Sequence, residues 1–174
     1  MMKNKIWLIV ILISITAVSA LAQDTNKTKI DAKSQMEVLT GLCNRKGLKS
    51  NLFKTYFETG YAAYTPDTAT ISQLKKVMTN KNILTTIVMG SWCGDSQDQV
   101  PRFYKIIDVL GYSDSKVTLY CVDRTKKTDK GETDNLNITL VPTFIFYKDG
   151  KELGRITESP KETLEKDILE ILTN

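Results

Sequence analysis

The sequence predicts an α/β fold with a central mixed β-sheet flanked by helices, on three observations. Strand-length runs of apolar, branched residues at Ile83–Met89, Val117–Val122 and Thr143–Tyr147 alternate with stretches whose apolar residues recur at helical spacing. Asp149-Gly150 then separates the third run from Glu152–Ile156 and reads as a two-residue hairpin turn. The chain's 174 residues, 41% hydrophobic and 25% charged, suit one ordinary domain with an appendage.

The first element is a targeting signal. Lys3 and Lys5 precede the apolar run from Ile6 to Val18, and Ala20-Leu21-Ala22 places small residues at the −3 and −1 positions of a cleavage site before Gln23. Residues 1–22 therefore read as an export signal, with an uncleaved membrane anchor as the alternative. The run is short for a membrane span, and Ser14 and Thr16 weaken it. Cleavage removes Lys3 and Lys5, so the net charge falls from +4 to +2 and the apparent basicity is partly a property of the signal. No Lys/Arg cluster interleaved with aromatics is present, which speaks against nucleic-acid binding.

Residues 23–66 read as an N-terminal extension, partly helical. The polar stretch from Gln23 to Lys33 looks like a flexible lead-in. Met36, Leu39 and Leu42 form one helical stripe, and Leu52, Tyr56 and Phe57 another, with Gly41 and Gly47 as breaks. Tyr61, Tyr64 and Pro66 mark a turn or a short edge strand.

Residues 67–174 carry the regular alternation. Ile71, Leu74, Val77 and Met78 give a helix face that ends near Asn80, before the strand Ile83–Met89. Val100, Phe103, Ile107 and Leu110 give the next helix, stopped by Gly111. After the strand Val117–Val122, the polar stretch from Asp123 to Asp134 is read as a helical linker to the hairpin. Ser159 as N-cap, Pro160 at the first helical position and Glu162 completing a capping box open the last helix, which buries Leu164, Ile168, Ile171 and Leu172.

The chemistry available is narrow. The sequence has no His, which excludes a Ser-His-Asp triad, a Cys-His dyad and a His-ligated zinc site. Its 3 cysteines, Cys43, Cys93 and Cys121, cannot build a four-thiolate cluster, and an odd count leaves one thiol without an internal partner. Cys93 lies in Trp92-Cys93-Gly94-Asp95-Ser96, between the strand Ile83–Met89 and the following helix. A cysteine there meets the unpaired N–H groups and positive dipole end of a helix, which favour the nucleophilic thiolate. Asp95 and Asp98 oppose that effect, so a moderately acidic thiol of reducing character is expected.

These residues resemble the thioredoxin superfamily. The motif WCGDS stands where the family has WCGPC, and Pro101 falls where a proline kinks the family's active-site helix. Val141-Pro142-Thr143 is similar to the family's segment whose proline is cis and faces the active-site sulfur, and Phe144 to Gly154 is similar to its final hairpin. The resemblance covers Asp67 to Asn174 and implies a thioredoxin-like fold. It also implies a catalytic Cys93 acting on protein disulfides or mixed disulfides, with no metal, nucleotide or organic cofactor. Trp92, Gly94, Asp95, Val141, Pro142 and Thr143 would then contact the client, although Trp92 also suits a cap on the core.

The departures bear on mechanism. Ser96 replaces the family's second cysteine and cannot resolve a mixed disulfide, though its hydroxyl is expected to hydrogen-bond Cys93. Ile87 stands where many thioredoxins keep a buried Asp that helps the second cysteine deprotonate. Resolution then falls to an external thiol or reductase partner, or to Cys121, aligned by its strand beside Ile87; the other reading of Cys121 is a small buried hydrophobe. Cys43 is incidental or partner-linked, or pairs with Cys93. The expected function is an exported, periplasmic or extracellular monothiol oxidoreductase. The alternatives are a client-binding module that traps partners as mixed disulfides, and a structural domain with a vestigial Cys93.

Overall fold

A computed structural model describes residues 25–79 and 82–174. The expected signal over residues 1–22 lies outside the described residues. The elements run β1 (Lys27–Ile30), β2 (Glu37–Cys43), α1 (Arg45–Leu48), α2 (Lys54–Ala63), α3 (Thr68–Thr79), β3 (Ile83–Met89), α4 (Gly94–Leu110), β4 (Val117–Cys121), β5 (Thr143–Lys148), β6 (Lys151–Thr157) and α5 (Leu164–Thr173). The strands form one six-stranded sheet in the order β1-β2-β4-β3-β5-β6. β3 and β4 are parallel and the other neighbours antiparallel, so the sheet is mixed.

Buried side chains of all five helices join the face of the sheet that carries Leu39, Ile87, Met89, Leu119, Phe144 and Phe146. Phe103 of α4 stacks on Phe144 with ring centroids 5.2 Å apart. The opposite face holds a smaller cluster of Val88, Val122 and Val141, joined by Leu136 and Ile138 from the β4–β5 connection. Further along that face Leu84 stays exposed, so β3 is not the uniformly buried strand its apolar run suggests.

Local signals explain the best-defined turns. Gly111 closes α4 at φ +69, with its N–H on the Asp108 carbonyl and the Tyr112 N–H on the Ile107 carbonyl. Those paired bonds are how a left-handed residue satisfies a helix end. Asp149 and Gly150 both take positive φ between β5 and β6, as a two-residue hairpin turn of this twist requires.

The N-terminal segment departs most from expectation. The stripe Met36, Leu39 and Leu42 belongs to strand β2 and its approach, not to a helix, and the supposed lead-in contributes β1. Apolar residues three apart in so short a window fit either period; Val38 and Thr40 favour a strand, and the left-handed Gly41 breaks a helix. β1 carries charged and polar residues along the sheet edge, which discourages further strand addition. Tyr61 lies inside α2, so the expected turn or edge strand starts later, as an unpaired connection to α3.

Two further corrections concern capping and loops. Helix α5 starts at Leu164 with Thr163 as its N-cap, not at Ser159-Pro160. The Asp167 carboxylate accepts the Lys161 and Glu162 N–H groups at 2.7 and 3.3 Å, holding that stretch outside the helix. Between β4 and β5 the described chain has only a single 3-10 turn, Asp134–Leu136, where a helical linker was expected. There the Asp123 carboxylate accepts the Thr125 and Lys127 N–H groups, an alternative to helical bonding, and Gly131 is left-handed.

The extension is nevertheless built into the core. Phe57 of α2 packs edge-on to Tyr104 of α4 at 5.6 Å and stacks with Tyr61 at 6.1 Å. Gly60 lets α2 approach the part of α4 that contains Pro101: a Cβ built there would stand 3.1 Å from the Pro101 Cβ. Tyr64 donates to Glu165 of α5 at 2.6 Å, and Arg45 bridges Asp108 and Asp114 at 2.6 Å each. Truncating Phe57, which is 1% exposed, is expected to cost the whole domain about 3–5 kcal/mol. Urea unfolding of Phe57→Ala reads this directly; a loss below about 1 kcal/mol would mean the extension is only loosely attached.

Candidate active site

Strand β3 ends at Met89 and α4 begins at Gly94, so Gly90, Ser91, Trp92 and Cys93 make the whole turn between them. Cys93 is the N-cap of α4, with extended backbone at φ −98 and ψ 127. Its N–H donates to the Gly90 carbonyl at 2.9 Å, and its carbonyl accepts the Gln97 N–H at 3.0 Å. Cys93 thereby stands at the start of the helix, where backbone N–H groups lack intrahelical partners, although its side chain makes no capping hydrogen bond. The partial positive charge there is worth at most about 2 kcal/mol to an anion.

The half-buried Cys93 thiol has two polar neighbours. It donates to the Val141 carbonyl at 3.3 Å and lies 3.9 Å from an Asp95 carboxylate oxygen. Asp98, in the next turn of α4, is engaged by Arg102 at 2.7 Å. The Val141–Pro142 peptide bond is cis, and Val141, Pro142 and Thr143 are buried. Thr143 turns its hydroxyl inward to the Leu140 carbonyl at 2.7 Å. Gly94 is exposed, and nothing lies within 4 Å of the place where its Cβ would stand.

Ser96 occupies a different role from the one expected. It is fully buried, and its hydroxyl accepts the Gly90 N–H at 3.2 Å. Among the described residues its side-chain partner is that N–H and not the Cys93 sulfur. The hydroxyl thus closes the turn on itself.

The sheet separates Cys93 from the other two thiols, and all three are free. Cys93 packs with Val88, Val122 and Val141, whereas Cys43 and Cys121 lie in the main core. The parallel register sets Cys121 beside Met89 and puts Leu119 beside Ile87, a shift of two residues from the expected alignment. Cys121 is fully buried; burial first, and the neighbouring Cys43 thiol second, push its thiol well above the ordinary range. Cys43 accordingly neighbours Cys121 rather than Cys93.

Around Trp92, which the motif had marked, several residues of the site carried no readable signal. Trp92 donates its indole N–H to the Val122 carbonyl at 2.9 Å, and its ring lies across Gly90 so closely that a Cβ there would meet it at 2.5 Å. The Arg124 guanidinium covers the Trp92 ring at 4.6 Å and is itself held by Asp31 through bonds of 2.9 to 3.0 Å. Ser91 accepts the Leu39 N–H at 2.9 Å, and the Gln97 side chain donates to the Ser91 carbonyl at 2.8 Å. The N-terminal segment thus reaches the active-site turn at two points, Asp31 and Leu39. Glycine at the end of a buried strand was a usable hint, but an ion pair 93 residues apart left none. Among the described residues no group of three or more His, Cys, Asp or Glu is placed to hold a metal.

A cysteine capping the helix after the central strand, facing the carbonyl before a cis proline, defines a site for thiol–disulfide chemistry. The chain belongs to the thioredoxin family: the profile described as Thioredoxin matches residues 68–170, more than half of its length. It is 25% identical over 115 residues to mitochondrial thioredoxin-3 of Saccharomyces cerevisiae, covering 66% of this chain and 85% of that protein. To thioredoxin H-type 1 of Nicotiana tabacum it is 30% identical over 96 residues, covering 55% of this chain and 71% of the relative. The TPR repeat-containing thioredoxin TDX of Arabidopsis thaliana is 33% identical over 79 residues, 45% of this chain but only 19% of that longer protein. Among solved structures, a protein of unknown function from Pseudomonas aeruginosa superposes with a TM-score of 0.46 at 14% identity, over 68% of this chain and 78% of the other. Fasciola hepatica thioredoxin gives 0.39 at 22% identity, over 57% and 88%.

The Asp31–Arg124 pair makes a pH prediction. The Arg124 guanidinium first, and the Ser34 hydroxyl next, hold the Asp31 carboxyl well below the usual carboxylate range. A folded-state value below the unfolded one gives stability that is complete above about pH 4 and is lost as the pH falls. Wild type is therefore expected to exceed Asp31→Asn in stability at pH 7, with the gap narrowing below about pH 4. Paired urea unfolding curves across that range check it; a gap independent of pH would contradict the ion pair.

Proposed function

We propose that this is an exported thiol–disulfide oxidoreductase of the thioredoxin family that works through Cys93 alone. The observation that carries the reading is the division of the thiols: Cys93 is the partly exposed one, at a helix start, while Cys43 and Cys121 are buried. In the reaction, the Cys93 thiol breaks its hydrogen bond to the Val141 carbonyl, gives its proton to water, and as thiolate attacks one sulfur of a client disulfide. A Cys93–client disulfide forms, the client's S–S bond breaks, and the second client sulfur departs as a thiolate. The first-turn N–H groups of α4 stabilise the attacking anion. Trp92, the open backbone at Gly94 and the Val141-Pro142 edge flank the approaching client strand, and Asp95 disfavours acidic clients.

With Ser96 at the second motif position, release passes to an external thiol or reductase partner. Its thiolate attacks the client sulfur of the mixed disulfide, breaking the Cys93–client bond, forming a client–external mixed disulfide and returning Cys93 as thiolate. A second external thiol then frees the client as a thiol and leaves as the external disulfide. Cys121, in the main core beside Cys43, is not assigned this step. The slow resolution that Ser96 imposes also favours a second reading, a module that traps clients as stable mixed disulfides. Export rests on the pattern of residues 1–22, with a mature chain beginning at Gln23 in a periplasmic or extracellular setting.

Reduction of a disulfide-bonded peptide, with and without added small thiol, tests the reading on protein recovered from outside the cytoplasm, whose mass should begin at Gln23. Turnover is expected only with the added thiol, and Cys93→Ala should fall to the uncatalysed rate. Ser96→Cys is expected to release one equivalent of reduced peptide without the small thiol, ending as a disulfide between Cys93 and the introduced cysteine. Accumulating peptide adducts without turnover would favour the trap. Unchanged turnover in Cys93→Ala would overturn both readings, and a chain still beginning at Met1 would overturn cleavage.

A further inference from the structure

The active site uses one thiol, which leaves Cys43 and Cys121 without an assigned role. Strands β2 and β4 are antiparallel neighbours whose register sets Cys43 opposite Leu119 and Cys121 opposite Gly41. The two cysteines therefore share one face of the sheet as diagonal neighbours, and both belong to the main core cluster. They are 4% and 0% exposed. The Cys43 thiol lies near enough to influence that of Cys121. Among the described residues Cys43 otherwise has only a long contact, 3.9 Å, to the Thr40 carbonyl.

We propose that Cys43 and Cys121 are a second redox couple, which closes reversibly into an intramolecular disulfide joining β2 of the N-terminal segment to β4 at the centre of the sheet. Diagonal neighbours on antiparallel strands stand about 7–8 Å apart at Cα, mostly along the strand, and disulfides span about 4.4–6.8 Å, so closure slides β2 along β4 by about an ångström or more. Gly41, directly opposite Cys121, sits at φ +73 with nothing within 4 Å of its Cβ position, so β2 has room to adjust there. Among the described residues the buried phenol oxygen of Tyr56, in the helix packed against this core, has no hydrogen-bond partner.

The oxidant is a small-molecule disulfide. One thiolate attacks it, forms a mixed disulfide and expels a thiolate; the second cysteine attacks that mixed disulfide and expels the other. Two protein thiols lose two electrons and two protons, and the small disulfide becomes two thiols. Burial shields both cysteines from the oxidant at rest, so the exchange proceeds when β2 opens locally from β4. Cys93, in the other cluster, takes no part. The odd cysteine count then resolves into a buried pair and one catalytic thiol.

The test is equilibration of the native mature chain and of Cys93→Ser with oxidised glutathione, followed by acid quenching, alkylation in denaturant and mass spectrometry of unreduced peptides. The expected result is a crosslink between the Cys43 and Cys121 peptides in both proteins, reversed by reduced glutathione, with an unchanged circular dichroism spectrum and a raised Tm. Cys43→Ser and Cys121→Ser should each abolish it. Separate alkylation of both cysteines after equilibration would overturn the proposal, as would a bridge involving Cys93 or one that forms only in denaturant. If either Ser variant fails to fold, the wild type and Cys93→Ser still decide the outcome. Loss of Cys93 turnover alone leaves this couple intact, so the two readings fail separately.

Discussion

The Gly90 N–H to Ser96 hydroxyl bond closes the turn between the central strand and α4, and the position of the reactive sulfur depends on that closure. A buried N–H at the end of a strand must find an acceptor, and leaving it unmade costs about 1–3 kcal/mol. The hydroxyl supplies the acceptor from within the first turn of the helix. Gly90 is also the residue across which Trp92 lies, and any side chain there would displace the ring. Cys93 is thus fixed between two restrained neighbours and meets the Val141 carbonyl at its own bonding distance. The serine that removes the resolving thiol is part of the device that aims the remaining one.

This arrangement is supported from the N-terminal segment as much as from the family domain. Ser91 is anchored to β2 through the Leu39 N–H, and the Trp92 face is covered by an arginine tied to Asp31. A segment that resembles an appendage in sequence supplies two of the six strands and two contacts to the active-site turn. Its helix α2 contributes Phe57 to the same aromatic group as Tyr104. Both links connect packing to chemistry: loosening the segment removes the restraint on Ser91 and on Trp92.

Legibility in the sequence followed the strength of local signals. β3, α4, β4 and the β5–β6 hairpin were readable because Ile83–Met89 is branched and apolar, Gly111 and Asp149-Gly150 demand positive φ, and the α4 stripe is long. β1 and β2 were not, because three apolar residues at Met36, Leu39 and Leu42 suit both periods, and pairing of β2 with β1 and β4 settles the strand. The N-cap of α5 shifted to Thr163 because Asp167, buried against the preceding loop, took the N–H groups that a helix starting at Ser159 would have used. In the site, Cys93, Ser96 and Pro142 could be read from their motifs, whereas Asp31 and Arg124 come together only through the fold. The same holds for Cys43 beside Cys121, which follows from a strand register that no motif encodes.

The central claim is that exposure at a helix start, not cysteine chemistry in general, selects one of three thiols for reaction. Peptide-resolved alkylation of the native protein by iodoacetamide, timed over minutes at pH 7, tests it most directly. The account predicts rapid labelling of Cys93, with Cys43 and Cys121 labelled at least about 100-fold more slowly, at the rate of local opening. Equal labelling of the three cysteines, or faster labelling of Cys121, would contradict it.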